Sequence, residues 1–300
     1  MDRVHLIGVF VAVVDTGGFA GAARKLGLSP PAVTRAINEL EANLGVRLLM
    51  RTTRVVRVTD AGTRYAEDCR RILAEIEEAD RSVTGLHSEP RGRVSVTAPV
   101  LFGARFVMPI VTSFLTRYPD TSASCLFLDR IVNMMDEGID VGVRIGELPD
   151  SSLQAVRVGG VRRVICASPG YLAQHGRPES PGELAQHTLI ATNAISPGTE
   201  WRLMDKGKPL TVKLAPRMST TTNDSALAAA VAGFGVARLL SYQVADAIRA
   251  GSLEIVLEAF EPAVLPIHVL HREGRYASQK VRAFLDLAID ALRSDASLQR

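Results

Sequence analysis

The chain has 300 residues, of which 47% are hydrophobic, so the sequence excludes a disordered protein and is long enough for two or three domains. The formal net charge is only +3, but residues 1–58 carry eight basic and four acidic side chains, which leaves −1 for the remainder. This distribution indicates a polyanionic partner for the N-terminal segment alone, or simply a soluble protein with an uneven surface. Three widely spaced cysteines fit neither a metal site nor a disulfide framework, which predicts reduced thiols and a cytoplasmic location.

The first forty-five residues show the patterns of three short helices. The apolar run at residues 6–14 is too short to span a bilayer and ends at Asp15, so we interpret it as a helix of a folded domain rather than as a signal peptide. Residues 19–26 have small and apolar side chains on one face and are followed by glycine. A third helix begins with Ser29 as N-cap and Pro30 at its first position, and it ends at Gly45.

The third predicted helix has two chemically different faces. Its apolar stripe consists of Val33, Ile37, Leu40 and Leu44. The opposite face contains no carboxylate, since Glu39 and Glu41 fall at its margins. Its small, polar and cationic side chains can reach base edges and phosphates in a DNA major groove: Pro31, Thr34, Arg35 and Asn38. For a helix on its own, a plain solvated surface would be the better interpretation.

A basic hairpin follows this helix. Residues 46–50 and 55–58 are apolar runs, and between them lies the turn Arg51-Thr52-Thr53-Arg54. Arginine and threonine donors at such a tip are suited to phosphate or minor-groove contacts. Three helices and a basic wing in this order predict a winged helix-turn-helix.

A long helix is predicted from Thr59 and Asp60 onward. Its apolar positions alternate in steps of four and three, which indicates a coiled-coil seam. A surface helix packed on its own domain is the alternative, although such helices have a wider apolar stripe. We therefore predict a dimer interface formed by Tyr65, Cys69, Ile72, Ile76, Ala79, Val83 and Leu86.

The run from Phe19 to Gly62 resembles the LysR-type transcriptional regulators. The resemblance is carried by paired alanines, the serine-capped third helix, the basic turn, and the motifs Leu40-Glu41, Leu44-Gly45 and Thr59-x-x-Gly62. It implies that Pro31, Ala32, Thr34 and Arg35 read bases, and that Arg51 and Arg54 contact the DNA backbone. The sequence departs from the family at three positions: Gly18 replaces a serine cap, and Pro31 and Thr34 stand where glutamine and serine are frequent.

Beyond a short hinge near residues 89–93, predicted strands and helices alternate, which indicates an α/β fold with a parallel sheet and covering helices. The first unit contains strands at 94–98, 123–128 and 140–145, with helices at 102–117 and 131–137. The strand at 267–270 and the helix at 280–292 return to it. The predicted divisions are 1–58 for the winged helix-turn-helix, 59–90 for the linker helix, 91–160 with 267–300 for lobe I, and 161–266 for lobe II.

The second part resembles, more loosely, the family's effector domain, whose two lobes are like those of periplasmic binding proteins. This resemblance implies a small-molecule effector between the lobes and tetramers built from two dimers, whereas the chain itself indicates only dimerisation. The N-terminus of the helix at 225–232 is suited to an anion, or is simply capped by Asn223 or Asp224. We predict an effector site at Pro99, Val100, Leu101, Gly146, Trp201, Thr222 and Asn223, with a core position as the alternative for Trp201.

Two other classes of protein were weighed. An enzyme is disfavoured because residues 17–21 lack the G-x-G-x-x-G spacing, the six histidines are scattered, and no P-loop, G-x-S-x-G or HExxH motif occurs. We therefore predict no catalytic residue, cofactor or metal. A stand-alone solute-binding protein would need export and would explain neither the basic segment nor the heptad helix. The sequence thus predicts a regulator that binds double-stranded DNA and a small molecule, forms homo-oligomers and does not enter the membrane.

Overall fold

A computed structural model describes residues 2–51, 56–83, 89–130, 132–148, 153–192, 200–272 and 277–299, without the side chains of residues 51, 75 and 77–83. The chain divides into two compact units, Met1–Ser88 and Glu89–Arg300.

The first unit is a small helical domain with a two-stranded wing. It consists of α1 (Arg3–Thr16), α2 (Phe19–Leu26), α3 (Pro30–Leu44), β1 (Leu49–Arg51), β2 (Val56–Val58) and α4 (Asp60–Val83). Local signals set the ends of α3, because the Ser29 hydroxyl accepts a hydrogen bond from the Ala32 N–H and Gly45 adopts the left-handed conformation. Its core is formed by α1, the apolar stripe of α3, the start of the wing and the first turns of α4.

Thr59 and Gly62 join the wing to α4. The Thr59 hydroxyl lies 3.1 Å from the Leu48 carbonyl oxygen and accepts a hydrogen bond of 2.9 Å from the Gly62 N–H. Gly62 passes so close to the Leu48 carbonyl that any side chain at this position would collide with it. The Thr59-x-x-Gly62 motif is therefore a packing requirement of this junction.

The second unit is an α/β domain with two sheets. Its strands are β3 (Gly92–Ala98), β4 (Thr121–Phe127), β5 (Val141–Ile145), β6 (Gln154–Val161), β7 (Arg163–Ala167), β8 (Leu189–Thr192), β9 (Glu200–Asp205), β10 (Lys208–Lys213), β11 (Met218–Thr220), β12 (Val236–Leu240), β13 (Glu254–Val256) and β14 (Leu265–His271). Its helices are α5 (Val100–Phe102), a π-helical turn (Gly103–Val107), α6 (Met108–Arg117), α7 (Pro169–His175), α8 (Asn223–Val231), α9 (Ser241–Arg249) and α10 (Gln279–Ser294).

Lobe I is built on a five-stranded sheet in the order β4-β3-β5-β14-β6. Strand β3 is parallel to β4 and β5, but β14 is antiparallel to both β5 and β6. The expectation of a parallel sheet is therefore wrong for this part of lobe I. The reason is that β14 returns from lobe II and enters between β5 and β6 from the opposite end.

Lobe II contains the sheet β11-β8-β12-β7-β13. Strands β8, β11 and β12 are parallel, whereas β7 and β13 are antiparallel to their neighbours. The separate hairpin β9–β10 turns at Lys206 and Gly207, both of which have positive φ. The hairpin packs Trp201 and Leu203 into the lobe II core.

The helical stretch Val100–Arg117 is apolar and long enough to cross a membrane by composition alone. In the fold it packs on the lobe I sheet, where Phe102 and Phe114 are fully buried and Phe114 lies against Phe284 of α10. We assign it to the core of this lobe.

The helix predicted at 131–137 is wrong. Residues 134–138 form turns, and Ile131 lies outside the described residues. The Asn133 side-chain oxygen accepts from the N–H of Met135 at 3.0 Å, and Gly138 adopts a left-handed φ of 61°. An asparagine that bonds its own backbone two residues on competes with helix formation, which the apolar spacing alone did not show.

Candidate nucleic-acid interface and effector site

The predicted reading face of α3 is open in the first unit. Pro31, Arg35 and Asn38 are exposed, and Ala32 and Thr34 are half-buried. The opposite side of the helix is buried through Val33, Ala36, Ile37, Leu40 and Glu41. The helix therefore presents a small, polar and cationic surface while its other side holds it on the core.

Glu41 fixes the wing to α3. Its carboxylate is 7% exposed, and Oε1 accepts hydrogen bonds from the backbone N–H groups of Leu48 at 2.8 Å and Leu49 at 2.9 Å. By helical spacing Glu41 falls at the margin of the exposed face, and this position does not predict its role at the wing. Its position one turn after the buried Ile37 is the signal that indicates its burial.

The wing pairs in antiparallel register, with Leu49 opposite Val58. Arg57, on its second strand, is exposed. Thr52, Thr53 and Arg54 lie outside the described residues, and so does the side chain of Arg51. Their contacts with DNA stay predictions.

The start of α4 belongs to the core of its own unit. Cys69 is fully buried, and Tyr65 packs on Phe10 with ring centroids 5.8 Å apart. Burial raises the pKa of the Cys69 thiol. The predicted dimer contact of Cys69 is therefore wrong, and Tyr65 serves this internal core, because the first heptad of α4 lies against α1.

Further along α4 the seam positions become accessible. Ile72 is 39% exposed and Ile76 is half-buried. The side chains of Ala79 and Val83 are not described, and Leu86 lies outside the described residues. A dimer contact for these five positions stays a prediction.

In the second unit, one carboxylate joins the two lobes. Asp129, which follows β4 in lobe I, accepts from the Val100 N–H at 3.0 Å through Oδ1. Its Oδ2 accepts from the side-chain amide of Asn223 at 3.2 Å and from the Asn223 backbone N–H at 3.4 Å. Two helix N-termini thus point at one negative charge, an arrangement that the helix dipoles favour.

Tyr242 of α9 closes another part of the junction between the lobes. Its ring is buried in the lobe I core, with centroids 5.4 Å from Phe102 and 5.8 Å from Phe106. At the more exposed rim, Arg105 Nη1 lies 2.9 Å from Asp246 Oδ2. Hydrogen bonding to Arg249 and the charge of Arg105 lower the pKa of the Asp246 carboxyl.

The structure gathers four of the predicted effector residues. Pro99 and Val100 in lobe I meet Thr222 and Asn223 in lobe II around Asp129. The expected vacant anion site at this end of α8 is filled, because Asp129 of the other lobe accepts from the Asn223 N–H. The alternative of a cap by Asp224 holds in part, since its Oδ1 accepts from the Ser225 N–H at 2.9 Å. Asp129 has no local sequence signal, since its partners lie far away along the chain.

The other three predicted effector residues have different surroundings. Leu101 is half-buried and packs on the lobe I core. Gly146 follows β5, and its N–H donates to the Pro266 carbonyl at 2.8 Å. Trp201 is 3% exposed inside lobe II, so the prediction that it contacts the effector is wrong. Its alternation with exposed neighbours along β9 is the signal of a strand that packs this side chain inward.

A winged helix-turn-helix joined to a two-lobed α/β domain defines a DNA-binding regulator that carries a sensor domain. Two family descriptions match the chain: "Bacterial regulatory helix-turn-helix protein, lysR family" over residues 4–63 and "LysR substrate binding domain" over residues 87–293. The chain belongs to the LysR family of transcriptional regulators.

Similar proteins cover the full length of the chain. An HTH-type transcriptional repressor of Pseudomonas aeruginosa is 32% identical over 100% of this chain and 95% of its own. The transcriptional activator AaeR of Escherichia coli is 30% identical over 97% and 94%. The solved structure of the LysR-type regulator CrgA from Neisseria meningitidis superposes with a TM-score of 0.61 at 30% identity, covering 97% of this chain and 99% of that one.

Proposed function

We propose that this chain acts in the cytoplasm as a homodimeric regulator of transcription, without catalysis, and that it binds a two-fold site in double-stranded DNA through α3. The observation that carries the proposal is the open, carboxylate-free face of α3 with Arg35 and Asn38 exposed. Because Glu41 holds the wing to the same helix, the two predicted DNA-contacting parts of the unit form one body.

The position of each side chain on α3 suggests its role. In helix-turn-helix proteins the first turns of the recognition helix contact base edges. Pro31, Ala32, Thr34 and Arg35 occupy those turns, and Asn38 follows one turn later. We expect Arg35 to pair with a guanine and Asn38 to hydrogen-bond a base or a phosphate.

We further propose that a small-molecule effector acts at the junction of the lobes, where Pro99, Val100, Thr222 and Asn223 surround Asp129. Asp129 accepts hydrogen bonds from the N–H groups of Val100 and Asn223. An effector that competes for these donors shifts the balance between closed and open lobes, since a ligand acts through its different affinities for the two states.

The DNA-binding part is tested by mapping the bound sites in cells and then measuring binding to one such site by gel shift. We expect Arg35→Ala to weaken specific binding by about 1–3 kcal/mol, or roughly 5- to 150-fold, and to lose preference at one base pair in each half-site. Arg177→Ala is the matched control, because it removes the same charge from an ion pair with Glu254 in lobe II. Full specific affinity in the Arg35 variant would refute the assignment of this face.

A further inference from the structure

Three arginines lie together on lobe II. Arg163 is the first residue of β7, and Arg238 lies on the neighbouring antiparallel strand β12. The register pairs Arg163 with Leu240 and Ile165 with Arg238, so the two arginines are diagonal neighbours on the same face of the sheet. Arg202 comes from the β9–β10 hairpin that covers this face; its side chain is exposed at the rim, whereas Trp201 and Leu203 on either side of it face inward.

Arg238 is held firmly in this cluster, the Arg163–Arg202–Arg238 cluster. Its Nη1 donates to the Arg202 carbonyl oxygen at 3.2 Å, and its guanidinium carbon lies 5.2 Å from the centre of the Trp201 ring. Such a cation–π contact orients the guanidinium over the buried indole. The Arg163 side chain is half-buried and, among the described residues, makes neither a hydrogen bond nor an ion pair.

The cluster differs from three other arginines of lobe II, Arg162, Arg177 and Arg249, which are ion-paired. Arg162 is ion-paired with Glu258 and Glu261, and Arg177 with Glu254. Within the described part of the chain, no carboxylate pairs with any member of the cluster. The segment at residues 193–199, which leads into the hairpin, contains no aspartate or glutamate in its sequence either.

Burial and repulsion make this arrangement unfavourable when no anion is present. Burial, with a contribution from Arg163, lowers the pKa of Arg238 to about 10. Burial and the charge of Arg202 also lower the pKa of Arg163. Arg163 and Arg238 are half-buried, and two neighbouring cations that are partly removed from water are stabilised by a counter-charge. Planar guanidinium groups match the oxygens of carboxylate and phosphate.

We propose that the Arg163–Arg202–Arg238 cluster binds an oxyanion, the phosphate or carboxylate group of a small metabolite. The site is separate from the Asp129 junction, where a resident carboxylate repels anions. It lies near the point where the chain passes from lobe I to lobe II, because Arg163 follows Arg162, which links β6 to β7 and exchanges backbone and hydroxyl hydrogen bonds with Ser241 of α9. An anion bound here is therefore a second ligand of lobe II, in addition to the effector of the proposed function.

The test measures anion binding by the full chain. Titration calorimetry and thermal melts are run with inorganic phosphate and with acetate, against chloride at equal ionic strength. We expect phosphate or acetate to raise the melting temperature of the wild-type chain more than chloride does. Arg163→Met should weaken that binding at least tenfold. In chloride, the Arg163→Met variant should have a melting temperature at least as high as that of wild type. The substitution removes the repulsion between neighbouring arginines and breaks no hydrogen bond or ion pair that the side chain makes with the described residues.

Two further variants complete the experiment. Arg177→Met, which breaks an ordinary ion pair with Glu254, should keep wild-type anion binding. Arg238→Lys retains the charge but loses the planar fork, and we expect weaker binding with the fold intact. Equal effects of phosphate, acetate and chloride on the wild-type chain, or undiminished binding in the Arg163 variant, would overturn the proposal.

Discussion

Gly62 shows how a single position can set the geometry of the winged domain. Its backbone lies against the Leu48 carbonyl, and its N–H donates to the Thr59 hydroxyl, so α4 leaves the wing at one fixed angle. Gly8 in α1 is the contrasting case, because no atom lies close to the position that a side chain would occupy there. The two glycines therefore form a natural pair for comparison.

We expect Gly62→Ala to lower the free energy of unfolding by about 1–3 kcal/mol, since the added methyl group overpacks a junction made of backbone. Gly8→Ala should leave stability unchanged or raise it by up to about 1 kcal/mol, because alanine is the better helix former. Chemical denaturation followed by circular dichroism measures both variants. Equal stability of the two would show that the junction yields to accommodate a side chain.

At the scale of single residues, the sequence predicts those features that residues adjacent in the chain determine. The ends of α2 and α3 follow from Ser29, Gly27 and Gly45, whose effects are local. Glu41 and Asp129 escaped prediction in their actual roles because each is satisfied by backbone groups that only tertiary structure brings near. For Glu41 the spacing from Ile37 indicates burial but does not name the partner groups, and for Asp129 the flanking residues give no signal at all.

Helix α4 changes its role along its length. Its first turns complete the core of the winged domain, as the buried Ala66 and Cys69 show. From Ile72 onward apolar positions become accessible, so the change occurs within one heptad. The heptad pattern predicted a single seam because apolar spacing is the same whether the partner is α1 or a second copy of the chain.

We expect Ile72→Lys to dissociate the dimer while circular dichroism retains the helical signal. Burying an isoleucine contributes about 1.5–3 kcal/mol, and a two-fold interface contains two copies, so dimerisation should weaken at least about a hundredfold. Sedimentation velocity measures the change. Glu67→Gln is the control, because it makes the same change in charge at an exposed position on α4. A dimer that survives Ile72→Lys would reject the seam.

For the second unit as a whole, the alternation of strands and helices predicted two α/β lobes, and the family comparison confirms this architecture. Strand direction was harder to predict. Strand β14 is antiparallel to β5 and β6 because the chain passes through the whole of lobe II before it returns to the lobe I sheet. The surroundings of Trp201 likewise depend on a hairpin that packs back onto the sheet.

We expect Asp129→Ala to loosen the junction between the lobes without unfolding the chain. The variant leaves the N–H groups of Val100 and Asn223 without their acceptor, and a lost hydrogen bond to a charged group costs about 1.5–3 kcal/mol. Hydrogen exchange at these two amides should accelerate about tenfold or more. Asp120→Ala, which removes an exposed ion pair with Arg91, should leave both rates unchanged. Unaltered exchange in the Asp129 variant would contradict the bridging role.

The position of Tyr242 limits how the two lobes of this domain can be exchanged between related regulators. The ring belongs by chain position to lobe II, yet Phe102 and Phe106 of lobe I enclose it. In a chimera that takes each lobe from a different regulator, the aromatic core around Tyr242 therefore combines side chains from two different proteins. A well-folded chimera must therefore take Tyr242, Phe102 and Phe106 from the same parent. Chimeras joined at the lobe boundary, which separate Tyr242 from the two phenylalanines, will fold poorly.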